Sequence, residues 1–263
     1  MKLMFVGAHP DDGEGRVGGL AARYVERGGA AMFVSLTNGN AGHHEMQPAE
    51  LAARRKEEAR RSGEVIGAQY VVMDNDDGRL VPSVEVREEL IALIRSFRPD
   101  LLIGLRPFDY HADHRAAGQL VMDASYLLTV PLVRPDVPIM EKMPVICYTH
   151  DRFTRPIPFR CDVAVAVDEY FEQKARMLAC HESQFFEWLP YNAGELDQVP
   201  QDEAERWEWH RNRCERRFGW VADRFRNKLI ERYGPTRGRQ VRYAEVFEIC
   251  EYGRQPDAGL IEE

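Results

Sequence analysis

The sequence is short of the features that mark nucleic-acid-binding and membrane proteins. Its 35 lysines and arginines are outnumbered by 43 aspartates and glutamates, so the net charge is −8. A protein that neutralises phosphate backbones needs a basic surface instead. No stretch approaches the roughly twenty apolar residues of a membrane-spanning helix. We therefore expect neither a nucleic-acid partner nor a membrane span.

Cysteine is also scarce, and its spacing excludes two kinds of site. The five cysteines are scattered along the chain without a CxxC pair, so neither a disulfide framework nor a thiolate zinc site is predicted. The apolar run before Pro10 has neither the length nor the cleavage site of a signal peptide. These absences predict a cytoplasmic protein with reduced cysteines. They leave open a homo-oligomer formed through the second half of the chain.

The chain of 263 residues, 44% of them hydrophobic, is long enough for one α/β domain with a complete core, spanning residues 1–263. In residues 1–128, compact apolar runs typical of buried strands alternate with segments whose apolar residues recur at helical spacing. Such alternation predicts a doubly wound, mostly parallel sheet with helical crossovers. The predicted strands are Lys2–Ala8, Ala30–Leu36, Tyr70–Met73 and Leu101–Leu105, and the predicted helices are Val17–Arg27, Ala49–Ile66, Val84–Phe97 and His114–Leu127.

The second half, residues 129–263, has a less regular pattern. It opens with a proline-dense excursion over Thr129–Pro144 and continues with late strands and a long C-terminal helix. The predicted elements are strands at Val145–Thr149, Val163–Val167 and Val241–Cys250, a helix capped by Asp168 that runs towards Cys180, and a polar helix over Asp202–Tyr233.

Histidines and aspartates follow two of the predicted strands, at the point where each strand ends. His9, Asp11 and Asp12 come directly after the first strand, and residues 109–114, with the sequence DYHADH, follow the fourth. Ligands of doubly wound sheets bind outside the carboxyl ends of the strands, so the two segments can converge on one ion. A catalytic zinc has three protein ligands and an open position for water, and two histidines with one aspartate fit that description.

Each segment also has a simpler interpretation. An Asp-Asp pair after a strand is often a helix N-cap with a solvated neighbour, and an HxDH segment is often a helix start with surface histidines. The sequence GEGRVG over residues 13–18 also matches the GxGxxG dinucleotide fingerprint. However, residues 9–12 separate it from the strand, and the second strand ends in SLTN without an acid for the ribose. An NAD-binding oxidoreductase is therefore a minor alternative.

These motifs resemble those of the PIG-L/LmbE family of zinc-dependent de-N-acetylases, which includes GlcNAc-phosphatidylinositol de-N-acetylase. The resemblance covers most of the chain, and its most specific parts are Ala8–Asp12 and His111–His114. Supporting matches are Glu14, Gly18-Gly19, the Thr37–Gly42 loop, Arg55 with Glu58, Asp77-Gly78, Lys174 and His181–Gln184. The resemblance implies a Rossmann-like fold without a bound nucleotide and one zinc ion per chain.

The resemblance also implies roles for the residues of both motifs. Asp11 would be the general base on the metal-bound water, and His111 would stabilise the oxyanion and assist the leaving amine. Asp113 would orient one of the histidines, as carboxylates behind metal ligands commonly do. The implied zinc ligands are His9, Asp12 and His114.

Three further residues, Asn40, Arg55 and Asp77, match positions that contact substrate in relatives. Relatives often carry an acid where Asn40 stands, so a hydroxyl contact made by that acid would differ here. Two of the three have equally simple alternatives. Arg55 could form an ion pair with Glu58 on a helix surface, and Asp77 could serve only the turn before Gly78.

The sequence thus predicts zinc-dependent hydrolysis of an N-acetyl amide on an amino sugar or glycoconjugate. One alternative keeps the metal and moves the substrate to a small N-acyl compound that is not a sugar. Another is a metal-binding protein that has lost turnover. The presence of both Asp11 and His111 weighs against the second alternative, because only catalysis needs both.

Overall fold

The computed structural model describes residues 1–256, and its framework is one seven-stranded sheet. The order across the sheet is β3-β2-β1-β4-β5-β7-β6, and every neighbouring pair is parallel except the two that involve β7. The doubly wound, mostly parallel sheet predicted from the sequence is confirmed. Its strands are β1 (Lys2–Gly7), β2 (Ala30–Ser35), β3 (Gln69–Val72), β4 (Leu101–Gly104), β5 (Val145–Thr149), β6 (Val163–Ala166) and β7 (Ala244–Ile249).

Helices connect most of the parallel strands, and a predominantly helical region lies between β6 and β7. A π-helical segment, Ser183–Trp188, joins α5 to α6. Within residues 1–256, no helix combines the length and the apolar character needed to cross a membrane. The helices are α1 (Asp12–Glu26), α2 (Pro48–Ile66), α3 (Val84–Phe97), α4 (Ala112–Leu127), α5 (Phe171–Ala179), α6 (Leu189–Ala193), α7 (Glu203–Arg224) and α8 (Arg226–Gln240).

The position of β1 inside the sheet, between β2 and β4, determines where the site lies. Its residues 3–7 are all buried, as expected for a parallel strand covered on both faces. Phe5 pairs in register with Phe33 of β2 on one side and with Ile103 of β4 on the other. The strand order therefore reverses between β1 and β4, and the carboxyl edge at such a reversal is where ligands of these sheets bind.

Two helices begin earlier than the sequence pattern predicts. α1 starts at Asp12, so the glycines of the GxGxxG pattern lie inside a helix rather than in a phosphate-binding loop. Gly13 allows close packing, because a Cβ there would lie 2.4 Å from the ring of Phe33, whereas a Cβ at Gly15 would meet no atom within 4 Å. The structural basis for a dinucleotide fingerprint is therefore absent. α4 starts at Ala112, so His111 occupies its N-cap position.

The prediction of one long helix over Asp202–Tyr233 is wrong, because this segment forms two helices, α7 and α8. Phe225 has backbone angles of φ −109° and ψ 25°, which end α7 and begin α8. The chain turns there because Phe225 packs its ring against Phe159, with centroids 5.8 Å apart, in a small core under the C-terminal strands. The last strand forms as predicted but is inserted between β5 and β6 as an antiparallel partner.

Candidate metal centre and catalytic site

The loops after β1 and β4 bring three histidines together at the carboxyl edge of the sheet. The ring of His9 lies 4.7 Å from that of His111 and 5.2 Å from that of His114, measured between centroids. The rings of His111 and His114 are 5.1 Å apart. One ligand atom from each of the three falls within 4.8 Å of the others, which is close enough for a shared metal ion.

Asp12 lies in the first turn of α1 and faces two of these histidines. Its Oδ2 accepts hydrogen bonds from the backbone N–H groups of Ala8 (2.9 Å) and His9 (3.0 Å). Its Oδ1 lies 3.6 Å from Nε2 of His114. Burial opposes ionisation, but the neighbouring His114 and His9 rings and the backbone hydrogen bond outweigh it and hold the pKa of Asp12 well below its usual range. The carboxylate is therefore ionised and directed into the cluster.

His9 is surrounded by carboxylates on both sides of its ring. Its Nε2 lies 3.1 Å from Oδ1 of Asp77 and 3.2 Å from Oδ2 of Asp113, while its Nδ1 lies 3.8 Å from Asp12. Burial lowers the pKa of His9, but hydrogen bonds to Asp113 and Asp77 and the nearby Asp12 raise it to about 10. This environment stabilises positive charge, which is also what a divalent cation requires.

The orientation of His114 depends on Asp109, a residue to which the sequence analysis gave no role. Oδ1 of Asp109 lies 3.1 Å from Nδ1 of His114 and also accepts the backbone N–H of His111 at 2.9 Å. The contact turns Nε2 of His114 towards Asp12. The sequence does contain a signal for Asp109, because it is an acid near the start of the same loop–helix motif. Its spacing alone, however, does not distinguish it from a solvated loop residue.

The donor set fits one divalent cation. In metal sites, a ligating histidine usually directs its second ring nitrogen at a carboxylate that fixes its orientation. His9 has Asp113 in that position and His114 has Asp109, while the opposite ring nitrogens of both face Asp12. Imidazole nitrogen and carboxylate oxygen are ligands that zinc accepts. A second group that could hold an ion, formed by His9, Asp77 and Asp113, shares His9 with the first.

Asp11 has an unusual backbone and a carboxylate that is free of helix capping. It stands at the N-cap position of α1 with φ 121° and ψ −18°, and its side chain makes no capping hydrogen bond. Such a conformation costs a non-glycine residue of order 1–3 kcal/mol. Oδ1 lies 3.5 Å from the Arg55 guanidinium. Burial raises the pKa of Asp11 against the opposing effect of Arg55, so the carboxyl is more basic than an exposed aspartate.

Arg55 is buried behind Asp11 rather than exposed on the surface of α2. It donates hydrogen bonds to the carbonyl oxygens of Pro10 (2.5 Å) and Gly39 (3.3 Å), and only 2% of it is exposed. The alternative of a surface ion pair with Glu58 is wrong, because Glu58 is held by Arg54 at 3.0 Å instead. Arg55 therefore joins the loops after β1 and β2 directly beneath the cluster.

Asn40 and Asp77 lie beside Arg55 and border the cluster. The side-chain oxygen of Asn40 accepts the backbone N–H of Asp77 at 3.0 Å, and its amide donates to Asp76 at 2.6 Å. Oδ2 of Asp77 lies 3.9 Å from Arg55, and Oδ1 contacts His9. Asn40 thus fixes the turn that directs Asp77 between His9 and Arg55. The three residues predicted to contact substrate form one continuous wall.

His111 is anchored through one ring nitrogen only. Its Nδ1 accepts the backbone N–H of Asp113 at 3.2 Å and so caps α4. A ring that accepts through Nδ1 carries its hydrogen on Nε2 when neutral. Burial lowers the pKa of His111, and the nearby His9 and His114 lower it further. These surroundings favour the neutral form of the His111 imidazole, with its hydrogen on Nε2 and available for donation.

A buried polar network supports the first turns of α1. Glu14 is fully buried and accepts hydrogen bonds from Nε2 of His181 (2.7 Å), from Ser62 and from the hydroxyl of Tyr70 (3.3 Å). Burial lowers the pKa of His181, but Glu14 outweighs this effect and raises it. Tyr70 also accepts the backbone N–H of Asp11 at 3.2 Å. The network thus connects α2, β3 and the segment after α5 to the turn that carries Asp11.

Replacing His181 by alanine is expected to destabilise the protein by about 3–5 kcal/mol, because the buried Glu14 carboxylate loses its ionic partner. Urea unfolding monitored by circular dichroism measures the change. The matched control is Arg61→Ala, which removes an exposed ion pair with Glu182 and should cost less than about 1 kcal/mol. Equal, small effects of the two substitutions would contradict the proposed role of the network.

The fold and the cluster together define a class: Rossmann-like α/β domains whose ligand site is a histidine–carboxylate cluster suited to a metal ion, at the carboxyl edge of the sheet. The family model described as "PIG-L: GlcNAc-PI de-N-acetylase" matches residues 4–125, which contain both motifs. The chain is 32% identical over 207 residues to the diacetylchitobiose deacetylase of Thermococcus kodakarensis, covering 72% of this chain and 74% of that protein. It belongs to the PIG-L family.

Two further comparisons bear on fold and function. The chain is 24% identical over 196 residues to the 4-oxalmesaconate hydratase of Pseudomonas putida, covering 72% of this chain and 76% of that protein. The structure of the N,N'-diacetylchitobiose deacetylase of Pyrococcus horikoshii with its inhibitor MPG superposes with a TM-score of 0.71 at 22% identity, covering 95% of this chain and 84% of that one. The similar proteins thus include both deacetylases and a hydratase.

Proposed function

We propose that this protein is a zinc-dependent N-deacetylase that hydrolyses an N-acetyl amide on an amino sugar or glycoconjugate. The observation that carries the proposal is Asp11, whose carboxylate lies beside the histidine cluster, free of helix capping and supported by Arg55. The deacetylase relative at 32% identity supports the choice of reaction and of an amino-sugar substrate.

In this proposal His9, Asp12 and His114 hold one zinc ion, with Asp113 and Asp109 fixing the two imidazole rings. When bound, zinc acidifies water and polarises a carbonyl oxygen. The remaining steps belong to side chains of this protein. Asn40, Arg55 and Asp77 lie beside the cluster and are proposed to position the sugar. Asp77 is the best placed of the three for direct contact, since Arg55 is buried.

Amide hydrolysis needs a proton acceptor for water and a hydrogen-bond donor for the oxyanion. Asp11 is proposed to accept the proton, because burial makes its carboxyl more basic than an exposed one. His111 is proposed to donate from Nε2 to the oxyanion, since its Nδ1 already accepts a backbone hydrogen bond. The proton held at Asp11 is then available to the departing amine nitrogen.

Release of free amine and acetate tests the proposal directly. The zinc-loaded protein should deacetylate N-acetylglucosamine or its β-1,4-linked dimer, and a chelator should abolish the activity until zinc is restored. A panel of N-acyl compounds without a sugar ring tests the small-amide alternative in the same assay. Turnover confined to the compounds without a sugar would overturn the substrate class and leave the hydrolysis intact.

The hydratase relative supports a second candidate, the addition of water to a carbon–carbon double bond of a carboxylated substrate. Three arginine side chains line the cleft beside the cluster, which suits such a substrate. Loss of the absorbance of a conjugated enol or diene acid would report hydration, whereas deacetylation leaves that absorbance unchanged. Running both assays on one preparation separates the two candidates.

Replacing His111 by alanine should lower kcat by roughly two to three orders of magnitude, because an oxyanion donor acts mainly in the transition state. Zinc content and KM should change little. The substitution also removes a helix cap, so a second variant is needed. His111→Ser loses the imidazole and keeps a capping oxygen for α4.

The two variants should lose kcat to a similar extent, while only His111→Ala should unfold at lower temperature. Steady-state kinetics, zinc analysis and thermal unfolding of both variants provide the comparison. If the serine variant restored turnover, His111 would act only as a helix cap. If either variant lost its zinc, His111 would belong to the ligand set.

A further inference from the structure

We infer that the cleft contains an anion subsite, formed by Arg16, Arg152 and Arg217, that binds a carboxylate or phosphate group of the substrate. The inference deepens the proposed function, because it assigns a substrate class to the same cleft. A cavity of about 370 Å³ is lined by Asp11, Asp12 and His114 on the side of the cluster and by the three arginines and several aromatic residues elsewhere. One bound molecule can therefore contact both sets.

The three arginines come from separate parts of the fold. Arg16 lies on α1, one turn after Asp12, and donates to the backbone carbonyl of His150 at 2.6 Å. Arg152 follows β5 and stacks over the indole of Trp220, 4.2 Å from guanidinium carbon to ring centroid. Arg217 lies on α7. Within residues 1–256, none of the three guanidinium groups forms an ion pair, although the whole chain carries a net charge of −8.

Each carboxylate in the same cavity is in contact with a group other than these arginines. Asp151 is held by Arg106 at 3.1 Å, and Asp109 contacts His114 at 3.1 Å. Asp12 accepts backbone N–H groups and faces the histidines. Asp11 faces Arg55. Within residues 1–256, none of these carboxylates lies within 4.0 Å of the three guanidinium groups, so no ion pair occupies their N–H edges on this wall of the cavity.

The chemistry of the guanidinium group identifies the ligand class. A guanidinium stacked on an aromatic face keeps its N–H edge available, and that edge matches the two oxygens of a carboxylate or phosphate. Arg152 over Trp220 has this arrangement. The subsite therefore favours substrates that carry an acidic group at some distance from the amide over neutral sugars of similar size.

Isothermal titration with inorganic phosphate and with succinate tests the subsite without requiring turnover. The protein is titrated after chelation, so that anions cannot bind through the metal. The double variant Arg152→Gln/Arg217→Gln removes two exposed charges and should weaken binding by about tenfold or more. The matched control is Arg155→Gln/Arg216→Gln, which removes two exposed arginines from the same loop and helix that do not line the cavity.

Wild-type and control proteins should bind at least one anion alike, with affinity falling as salt is raised. Preference for phosphate or for succinate identifies the acidic group. Absence of binding, or equal weakening in both double variants, would overturn the inference. A kinetic arm compares kcat/KM for N-acetylglucosamine 6-phosphate and N-acetylglucosamine. If neither is deacetylated while the anion still binds through Arg152 and Arg217, the proposed function fails and the subsite stands.

Discussion

Replacing His9 by alanine is expected to yield a folded protein that no longer holds its metal ion and has no measurable turnover. Within residues 1–256, His9 contributes a nitrogen to both groups of side chains that could bind an ion, so neither group is complete when it is removed. Losing a carboxylate that only orients a metal ligand typically costs roughly 10–100-fold in affinity. Loss of the ligand itself should cost more. Zinc analysis after dialysis against a mild chelator measures the difference.

The matched control is His44→Ala, which removes a histidine that stacks on Tyr191, with centroids 3.9 Å apart, away from the cluster. That variant should keep its full zinc content. A His9→Ala protein that retained one zinc per chain would disprove the ligand assignment. The parallel variants Asp12→Ala and Asp77→Ala then compare the proposed ligand set with the group of His9, Asp77 and Asp113, since only substitution of a true ligand should release the metal.

The substitution Asp11→Asn should lower kcat by roughly two to four orders of magnitude, the range typical of lost general acid–base catalysis, while zinc stays bound. Asparagine has nearly the same size and can keep the contact with Arg55, but it cannot take a proton from water. KM should therefore change little. The experiment combines steady-state kinetics with zinc analysis on the same preparation.

The control for this substitution is Asp123→Asn on α4, which removes a carboxylate outside the cluster that accepts a hydrogen bond from Gln119 at 2.6 Å. Its kcat should match that of the unmodified protein. Near-normal turnover of Asp11→Asn would eliminate this residue as the base. The next candidate would then be Asp77, which also lies against the cluster and against Arg55.

The sequence pattern predicts the parallel half of the fold because each strand and each helix of that half can be recognised from its own short segment. The strand at Lys2–Gly7 is a continuous apolar run, and such runs mark strands buried on both faces. The insertion of β7 between β5 and β6 depends on pairing between segments far apart in the chain, such as Val163 with Phe247. Nothing local in either segment specifies that pairing. The break at Phe225 likewise depends on tertiary packing.

The candidate site likewise contains some residues that the sequence predicts and others that only the tertiary structure reveals. His9 and His114 could be singled out because each follows a predicted strand within a compact motif. The role of Arg55 could not, because its burial beneath Asp11 depends on how α2 packs against the loops after β1 and β2. The three arginines of the cleft come from α1, the loop after β5 and α7. Their convergence is a property of the tertiary structure, and their spacing in the sequence does not predict it.

The left-handed backbone at Asp11 sets protein stability and turnover against each other at a single position. Glycine adopts this conformation without the steric penalty that aspartate bears. The strain, of order 1–3 kcal/mol, is a sizeable part of the 5–15 kcal/mol by which folded proteins are typically stable. Laboratory selection for heat resistance alone, or redesign of the sequence to suit the backbone, would favour glycine there. Such a variant would gain robustness by discarding the one carboxylate that the proposed chemistry cannot replace.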